Sequence, residues 1–327
     1  MKRMRWWVKL WDQREHPRVL ALIRISIGLA LLWDLASVAW LDLADVLWAP
    51  QEVGGLPSNV LQRVPRPEIY RWFEPTAATG VWTFRVLVLA VICWTVGLGT
   101  RLSGLVGLLA YAQLAMVLPL GDRGIDMLLR NVMLLLLLSG SHRTLSIDAK
   151  LRTGSWHGSG ELVPGWPRRL VVLQLVVMYF MAGIQKTALA WTPLGGYTAL
   201  YIILQDPHIA RFDPAWLEWA SPFLRLATAV THLFEWTAPL VLVCFHLRST
   251  HERGGRLRAF VHRFKPHWVW IAIGVLLHAG VALTMNLGIF SGVMLACYWA
   301  WFHPDELATL ARAGRAQVAG MRSASTA

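Results

Sequence analysis

Long apolar runs separated by short polar segments recur along the whole chain. Many of them approach the length of about 20 residues that an α-helix needs to cross a bilayer. The pattern therefore predicts an all-α fold, a polytopic membrane helical bundle of about eight transmembrane helices. The predicted spans are 19–41, 79–98, 103–120, 125–140, 169–190, 221–245, 268–286 and 288–303. A further apolar stretch, 195–205 (GGYTALYIILQ), is too short to span and is expected to form a re-entrant or interfacial helix.

The polar ends of the chain complete the predicted organisation. Residues 1–18 form a basic interfacial segment, 19–303 the transmembrane domain, and 304–327 a short basic cytoplasmic tail. With the N-terminus inside, 21 of the 31 Lys and Arg residues fall in cytoplasmic segments, and 5 fall in outside segments. Cytoplasmic loops carry an excess of Lys and Arg, so this asymmetry predicts an N-in, C-in topology.

Composition supports the membrane interpretation. Of 327 residues, 56% are hydrophobic and 15% charged, against about 25% charged in a typical soluble domain. The net charge of +12 is explained by cytoplasmic loops facing anionic lipid, and no nucleic-acid recognition module is visible, so we expect a lipid bilayer and no nucleic acid as partner. Three cysteines lie in apolar runs without metal-ligand spacing, and neither a disulfide nor a metal site is predicted.

Ionisable residues inside the predicted spans are the first candidates for function, because each costs roughly 2.5–3.5 kcal/mol to insert. Asp34 and Glu235 lie deep in their spans and are expected to face the bundle interior and find partners, with an ion pair that fixes helix packing as the alternative to a site role. Arg24 either extends to the membrane surface from near a helix end or forms such an internal ion pair. Lys186 lies in the predicted fifth span, shortly before Trp191. It either extends its ammonium to the membrane surface or, beside an apolar pocket, acts as a general base.

Polar side chains accompany Lys186 towards the predicted outer end of the bundle. His278, near the middle of the seventh span, is expected to be neutral and hydrogen-bonded, either in a site or in a helix-packing contact. Tyr179 and Gln185 add polar groups to the fifth helix, and Asn286 and Ser291 add them to the last two. Together these residues predict a polar cluster on the outer half of the bundle, with Lys186 and His278 as catalytic candidates. The binding candidates are Tyr179, Gln185, Trp191, Asn286, Ser291, Arg24, Asp34 and Glu235.

Two stretches carry a specific family resemblance. Tyr179–Trp191 (YFMAGIQKTALAW) and His278–Leu295 (HAGVALTMNLGIFSGVML) resemble the membrane domain of vitamin K-dependent γ-glutamyl carboxylase, of the HTTM (horizontally transferred transmembrane) family. Arg24–Asp34 (RISIGLALLWD) and Leu145–Asp148 (LSID) add weaker support. The resemblance covers about residues 18–303.

The resemblance implies a function. Lys186 occupies the place of the lysine thought to deprotonate vitamin K hydroquinone, and His278 matches a family histidine. Reduced vitamin K or another quinone would then be the cofactor, with a lipophilic small molecule and a peptide or protein as partners. Where the carboxylase has a second catalytic histidine, Gly121–Leu129 has none, and Asp126 lies nearby. The expected location is the bacterial inner (plasma) membrane.

Two functional hypotheses stay open at this point. The first is a carboxylase-like or quinone-dependent membrane enzyme, an oxidoreductase or lyase, with Lys186 as base. The second is a non-catalytic membrane partner for the maturation of, or interaction with, a peptide or protein. A transporter ranks last, because no inverted repeat is visible in the sequence.

Overall fold

The computed structural model describes residues 11–51, 54–56, 68–307 and 309. Most of the predicted interfacial segment 1–18, most of the tail 304–327 and part of the outer loop 42–78 lie outside the described residues. The chain divides into two compact units, residues 1–171 with 299–327 and residues 172–298.

Helices make up nearly all of the regular structure. The helices of the first unit are α1 (Arg18–Trp40), α2 (Ala44–Trp48), α3 (Ala77–Val96), α4 (Thr100–Val117), α5 (Gly124–Leu137) and α6 (Ile147–Thr153). Helix α7 (Trp166–Gln185) begins in the first unit and continues into the second. The second unit then contains α8 (Ala199–Ile203), α9 (Leu217–Trp236), α10 (Ala238–Ser249), α11 (Arg256–Phe264), α12 (Pro266–Thr284) and α13 (Phe290–Cys297).

Single turns of 3-10 helix and two short strands connect these helices. The turns are Glu68–Arg71, Pro119–Gly121, Ser141–Arg143, Leu189–Trp191, Pro193–Gly195, Pro214–Trp216, His251–Arg253 and Tyr298–Trp301. Strands β1 (Arg14–Glu15) and β2 (Val163–Pro164) pair antiparallel, with Arg14 opposite Pro164 and Glu15 opposite Val163.

The prediction of an all-α membrane protein is confirmed. Among the described residues, α1, α3, α4, α7 and α12 are long and apolar enough to cross a membrane, and the bent pair formed by residues 214–249 makes six if it counts as one span. The predicted fourth and eighth spans form helices of 14 and 8 residues, shorter than a usual span. The count of eight and the N-in, C-in orientation stay predictions.

Small residues let α1 and α3 pack closely in the first unit. A Cβ atom placed on Gly28 of α1 would lie 2.0 Å from the hydroxyl oxygen of Thr95 on α3. Apolar side chains on the same two helices, such as Leu31 and Leu87, are fully buried. A glycine at this position therefore allows the two backbones to approach.

The buried Arg24 ties α1 to the turn that follows α5. Its side chain has no exposed surface, and it donates hydrogen bonds to the carbonyl oxygens of Ser141 at 2.6 Å and Leu145 at 2.5 Å. A few residues later, Asp148 accepts bonds from the backbone N–H groups of Gly99 and Thr100. The stretches Arg24–Asp34 and Leu145–Asp148, which gave the weaker family resemblance, are therefore joined by hydrogen bonds. These bonds satisfy backbone groups of the segments that connect the helices.

We predict that the turn around His142 makes stability sensitive to acid. Burial, and then the nearby charges of Arg101, Arg143 and Arg152, lower the pKa of this imidazole from 6.5 to about 4. The unfolded chain binds the proton more readily, so the stability contribution of neutral His142 is lost as the pH falls from about 6.5 towards 4. The thermal unfolding midpoint should fall over this window, and by less in His142→Gln. Identical pH profiles for the two proteins would contradict the prediction.

The predicted sixth span, 221–245, is broken in the structure. Helices α9 and α10 meet at Thr237, and the pair bends by 53°. Pro239 stands in the first turn of α10. It has no N–H to donate, and its ring would clash with the carbonyl group four residues earlier, that of Glu235. The proline therefore explains the break and places Glu235 beside it.

The stretch 195–205 forms a short helix rather than a span, as expected from its length. Helix α8 has five residues, and the backbone N–H of Leu200 donates to the hydroxyl of Thr228 on α9 at 3.2 Å. A small apolar cluster lies beside it, formed by Leu204, Leu217, Ala220, Leu224 and Met285. This packing fixes α8 against the N-terminal half of α9.

Candidate functional site

Lys186 comes directly after the last helical residue of α7. The predicted fifth span continues to residue 190, but α7 ends at Gln185. The N–H of Lys186 bonds back to the carbonyl of Gly183 at 3.2 Å, which tightens the last turn, and Ala188 is extended. The lysine side chain therefore emerges from a helix end.

The ammonium group of Lys186 is paired with Glu235 of α9. Its Nζ atom lies 2.6 Å from each carboxylate oxygen. The Lys186 side chain is 20% exposed and that of Glu235 is 9% exposed. The pair is thus largely desolvated, yet the lysine can still be reached from outside the protein.

Gly183 allows this pair to form. A Cβ atom on Gly183 would lie 3.0 Å from the Cβ atom of Glu235 and 3.2 Å from the backbone nitrogen of Trp236. A larger side chain would push α7 away from α9. One helical turn later, Lys186 reaches across to the carboxylate. Within the stretch A-G-I-Q-K, residues 182–186, Gly183 therefore forms the close helix contact and Lys186 forms the ion pair.

We predict that Gly183→Leu separates the two helices. The overpacking should lower the free energy of unfolding by about 1–3 kcal/mol, although leucine favours helix more than glycine does. Gly280→Leu on α12 is the matched control, because a Cβ atom at Gly280 meets nothing within 4 Å. Unfolding of both variants by sodium dodecyl sulfate in mixed micelles compares them. Equal stability of the two variants would contradict the proposed contact.

The ammonium of Lys186 lies over one aromatic ring, and two further rings are linked to that ring. Its Nζ atom lies 4.9 Å from the ring centroid of Trp191, a favourable cation–π distance. The ring of His232 lies 6.4 Å from that of Trp191, and the indole N–H of Trp236 donates to His232 at 2.7 Å. Charge and flat apolar surfaces therefore occur together at this helix end.

A second polar group lies deeper in the same unit. The Tyr179 hydroxyl lies 2.6 Å from Nε2 of His278 and 2.8 Å from the hydroxyl of Tyr298. His278 is 1% exposed, and its Nδ1 has no hydrogen-bond partner among the described residues. The hydrogen bond expected for His278 is present, and it joins α7 to α12.

The sequence analysis did not identify Tyr298 as a site residue, because it is one of several aromatic residues in an apolar run. The available signal was Gly274 on α12. A Cβ atom there would lie 2.1 Å from the Tyr298 hydroxyl oxygen, so only glycine leaves room for it. His232 and Trp236 were also overlooked, although they are four residues apart on α9, a spacing at which helical side chains are neighbours.

The remaining predicted site residues lie elsewhere. The side chains of Gln185 and Asn286 are exposed, and Ser291 is buried near the start of α13. Arg24 and Asp34 belong to the first unit and have their partners there. Of the predicted polar cluster, the structure joins Lys186 to Glu235 and Trp191, and Tyr179 to His278.

Asp34 belongs to a third group, which the sequence did not reveal. The guanidinium of Arg123 donates to Asp34 at 2.7 Å and to Asp126 at 2.8 Å. The Tyr111 hydroxyl also donates to Asp126, at 2.6 Å. Asp126 is thus a structural anchor for Arg123 at the start of α5.

A family model described as the HTTM domain matches residues 13–252, a range that contains Lys186, Trp191 and Glu235 but ends before His278. No curated protein and no solved structure matches the chain significantly.

Proposed function

The chain belongs to the HTTM domain family, and on this premise we propose that it is a multi-pass membrane enzyme that removes a proton from a lipophilic, quinone-type substrate. Lys186 is the proposed base. The observation that carries the proposal is its pairing with Glu235 at the partly exposed end of an apolar helix. An ionisable pair held at such a position is a typical functional feature of membrane proteins.

The pair offers a way to generate a base without changing the net charge. Transfer of a proton from Nζ of Lys186 to a carboxylate oxygen of Glu235 leaves a neutral amine and a carboxylic acid. Poor solvation penalises the two charges more than the two neutral groups. The neutral amine then accepts the substrate's proton. Glu235 is a positioning residue in this scheme, because it acts on Lys186 and not on the substrate.

The residues around Lys186 fit a reduced quinone. The rings of Trp191, Trp236 and His232 provide flat surfaces for an aromatic head group, and the lysine provides a group that recognises its hydroxyl. A reduced quinone would supply an acidic hydroxyl and, with oxygen, the oxidative chemistry that the family resemblance implies. The protein's part is to hold the ring and to accept the proton.

A non-catalytic role is the second candidate, and the same ion pair favours it. Both oxygens of Glu235 accept from Lys186, so the pair is also a strong cross-link between α7 and α9. In this case the chain would be a membrane partner for a peptide or protein. Any residue that keeps the positive charge at position 186 would then preserve its function.

A comparison of three variants separates these proposals. Wild type, Lys186→Ala, Lys186→Arg and the control Lys150→Ala, an exposed lysine on α6, are placed in nanodiscs with vitamin K hydroquinone, oxygen and bicarbonate. Arginine keeps the charge but does not release its proton. We expect quinone epoxide, followed by mass spectrometry, from wild type and Lys150→Ala only. Epoxide from Lys186→Arg, or none from folded wild type, would overturn the proposal for this substrate.

A further inference from the structure

A cavity of about 230 Å³ in the first unit has no role in the proposed reaction. Its walls come from α1, α2, α3, α4, the segment that leads into α5 and the first turn of α5. Most of the wall residues are apolar, including Leu35, Leu87 and Leu114. One end is polar and contains Asp34 and Arg123. An apolar cavity with a few convergent polar groups is the usual form of a small-molecule site.

The two carboxylates at the polar end differ in their free acceptor capacity. Asp126 accepts four hydrogen bonds, three from Arg123 and one from Tyr111. Among the described residues, Asp34 accepts from Arg123 alone, at 2.7 Å and at a long 3.4 Å. Its side chain is 26% exposed. A carboxylate offers about four acceptor positions, so Asp34 is the group that can still receive a donor.

The charges at this end do not cancel. Asp34, Asp122 and Asp126 line the cavity with Arg123, and Arg130 binds both oxygens of Asp122 at 2.7 Å. Three carboxylates thus face two guanidinium groups, an excess of one negative charge. The donors of Arg123 are directed at Asp34 and Asp126, so the polar end disfavours an anion and favours a cation.

We propose that this cavity binds a primary ammonium group carried on an apolar body, with the ammonium donating to Asp34 and the apolar part filling the space beside Leu35 and Leu114. The occupant is either a membrane aminolipid or a free amphipathic amine, since both carry this chemistry. The proposal is independent of the Lys186 reaction, because it rests on other residues in the first unit.

Photolabelling in nanodiscs tests the proposal directly. Octylammonium with a diazirine on its chain is compared with the corresponding octanol probe, in discs free of phosphatidylethanolamine, and adducts are located by mass spectrometry. We expect saturable adducts on cavity-wall peptides that contain Leu35 or Leu114, at least about ten-fold stronger for the ammonium probe. If added phosphatidylethanolamine competes with the probe, the lipid is the occupant. If it does not compete, the occupant is the free amine.

Three variants provide the controls. Asp34→Asn should remove the preference for ammonium, and Asp45→Asn, at an exposed position on α2, should leave it unchanged. Ala115→Phe fills the cavity from its wall and should weaken labelling by both probes, which keeps the test decisive if Asp34→Asn does not fold. Equal labelling by the two probes in wild type, or full ammonium labelling in folded Asp34→Asn or Ala115→Phe, would overturn the proposal.

Discussion

Replacement of Glu235 with leucine alone is expected to lower the free energy of unfolding by about 3–5 kcal/mol. The change leaves the ammonium of Lys186 largely buried without its carboxylate. The double variant Lys186→Met/Glu235→Leu should recover most of this loss, because it removes both charges and keeps similar volumes. Unfolding by sodium dodecyl sulfate in mixed micelles measures all three proteins on one scale.

Glu218→Leu is the matched control for this result. Glu218 is an exposed glutamate in the first turn of the same helix, and its replacement should change stability by no more than about 0.5 kcal/mol. If Glu235→Leu were as stable as wild type, the pair could not be the desolvated contact that the structure shows. A double variant less stable than Glu235→Leu would contradict the pairing as well.

Arg24→Met is the second change with a large expected effect. It removes the donors that satisfy the buried carbonyl group of Ser141 and the partly buried one of Leu145. An unsatisfied buried group costs about 1–3 kcal/mol. The turn that contains Leu145, whose φ of 48° is in the left-handed region, should then lose its structure first. Hydrogen–deuterium exchange of residues 141–148, together with the unfolding midpoint, measures both effects.

Arg85→Met provides the comparison for Arg24. Arg85 is exposed on α3 and stacks over Trp82 at 5.0 Å, so its loss should change the unfolding midpoint little. Faster exchange confined to residues 141–148 in Arg24→Met is the expected pattern. Unchanged exchange there, with a lowered midpoint, would mean that Arg24 stabilises the protein by another route.

The helices were largely predictable because a helix buried in lipid or protein requires a long run of apolar residues. The runs at 19–41, 79–98 and 268–286 correspond to α1, α3 and α12 within two residues at each end. The bend at Thr237 was missed because the apolar run continues through it. Pro239 explains the bend, but a hydropathy pattern does not register the effect of a proline on helix geometry.

Pairing between distant residues was much less predictable. Asp34 and Arg123 are 89 residues apart, and Tyr179 and Tyr298 are 119 apart. Which polar groups meet depends on how the helices pack, and hydropathy contains no information on helix order or rotation. Asp34 was therefore recognised as needing a partner, but that partner was not identified.

The ammonium–carboxylate pair at the end of α7 is central to this account, and epoxide formation by Lys186→Met/Glu235→Leu tests its role most directly. The double variant and wild type are compared in the same nanodiscs with vitamin K hydroquinone, oxygen and bicarbonate, after both are shown to be folded. We expect epoxide from wild type and none from the double variant at similar thermal stability. Equal epoxide yields from the two folded proteins would contradict it.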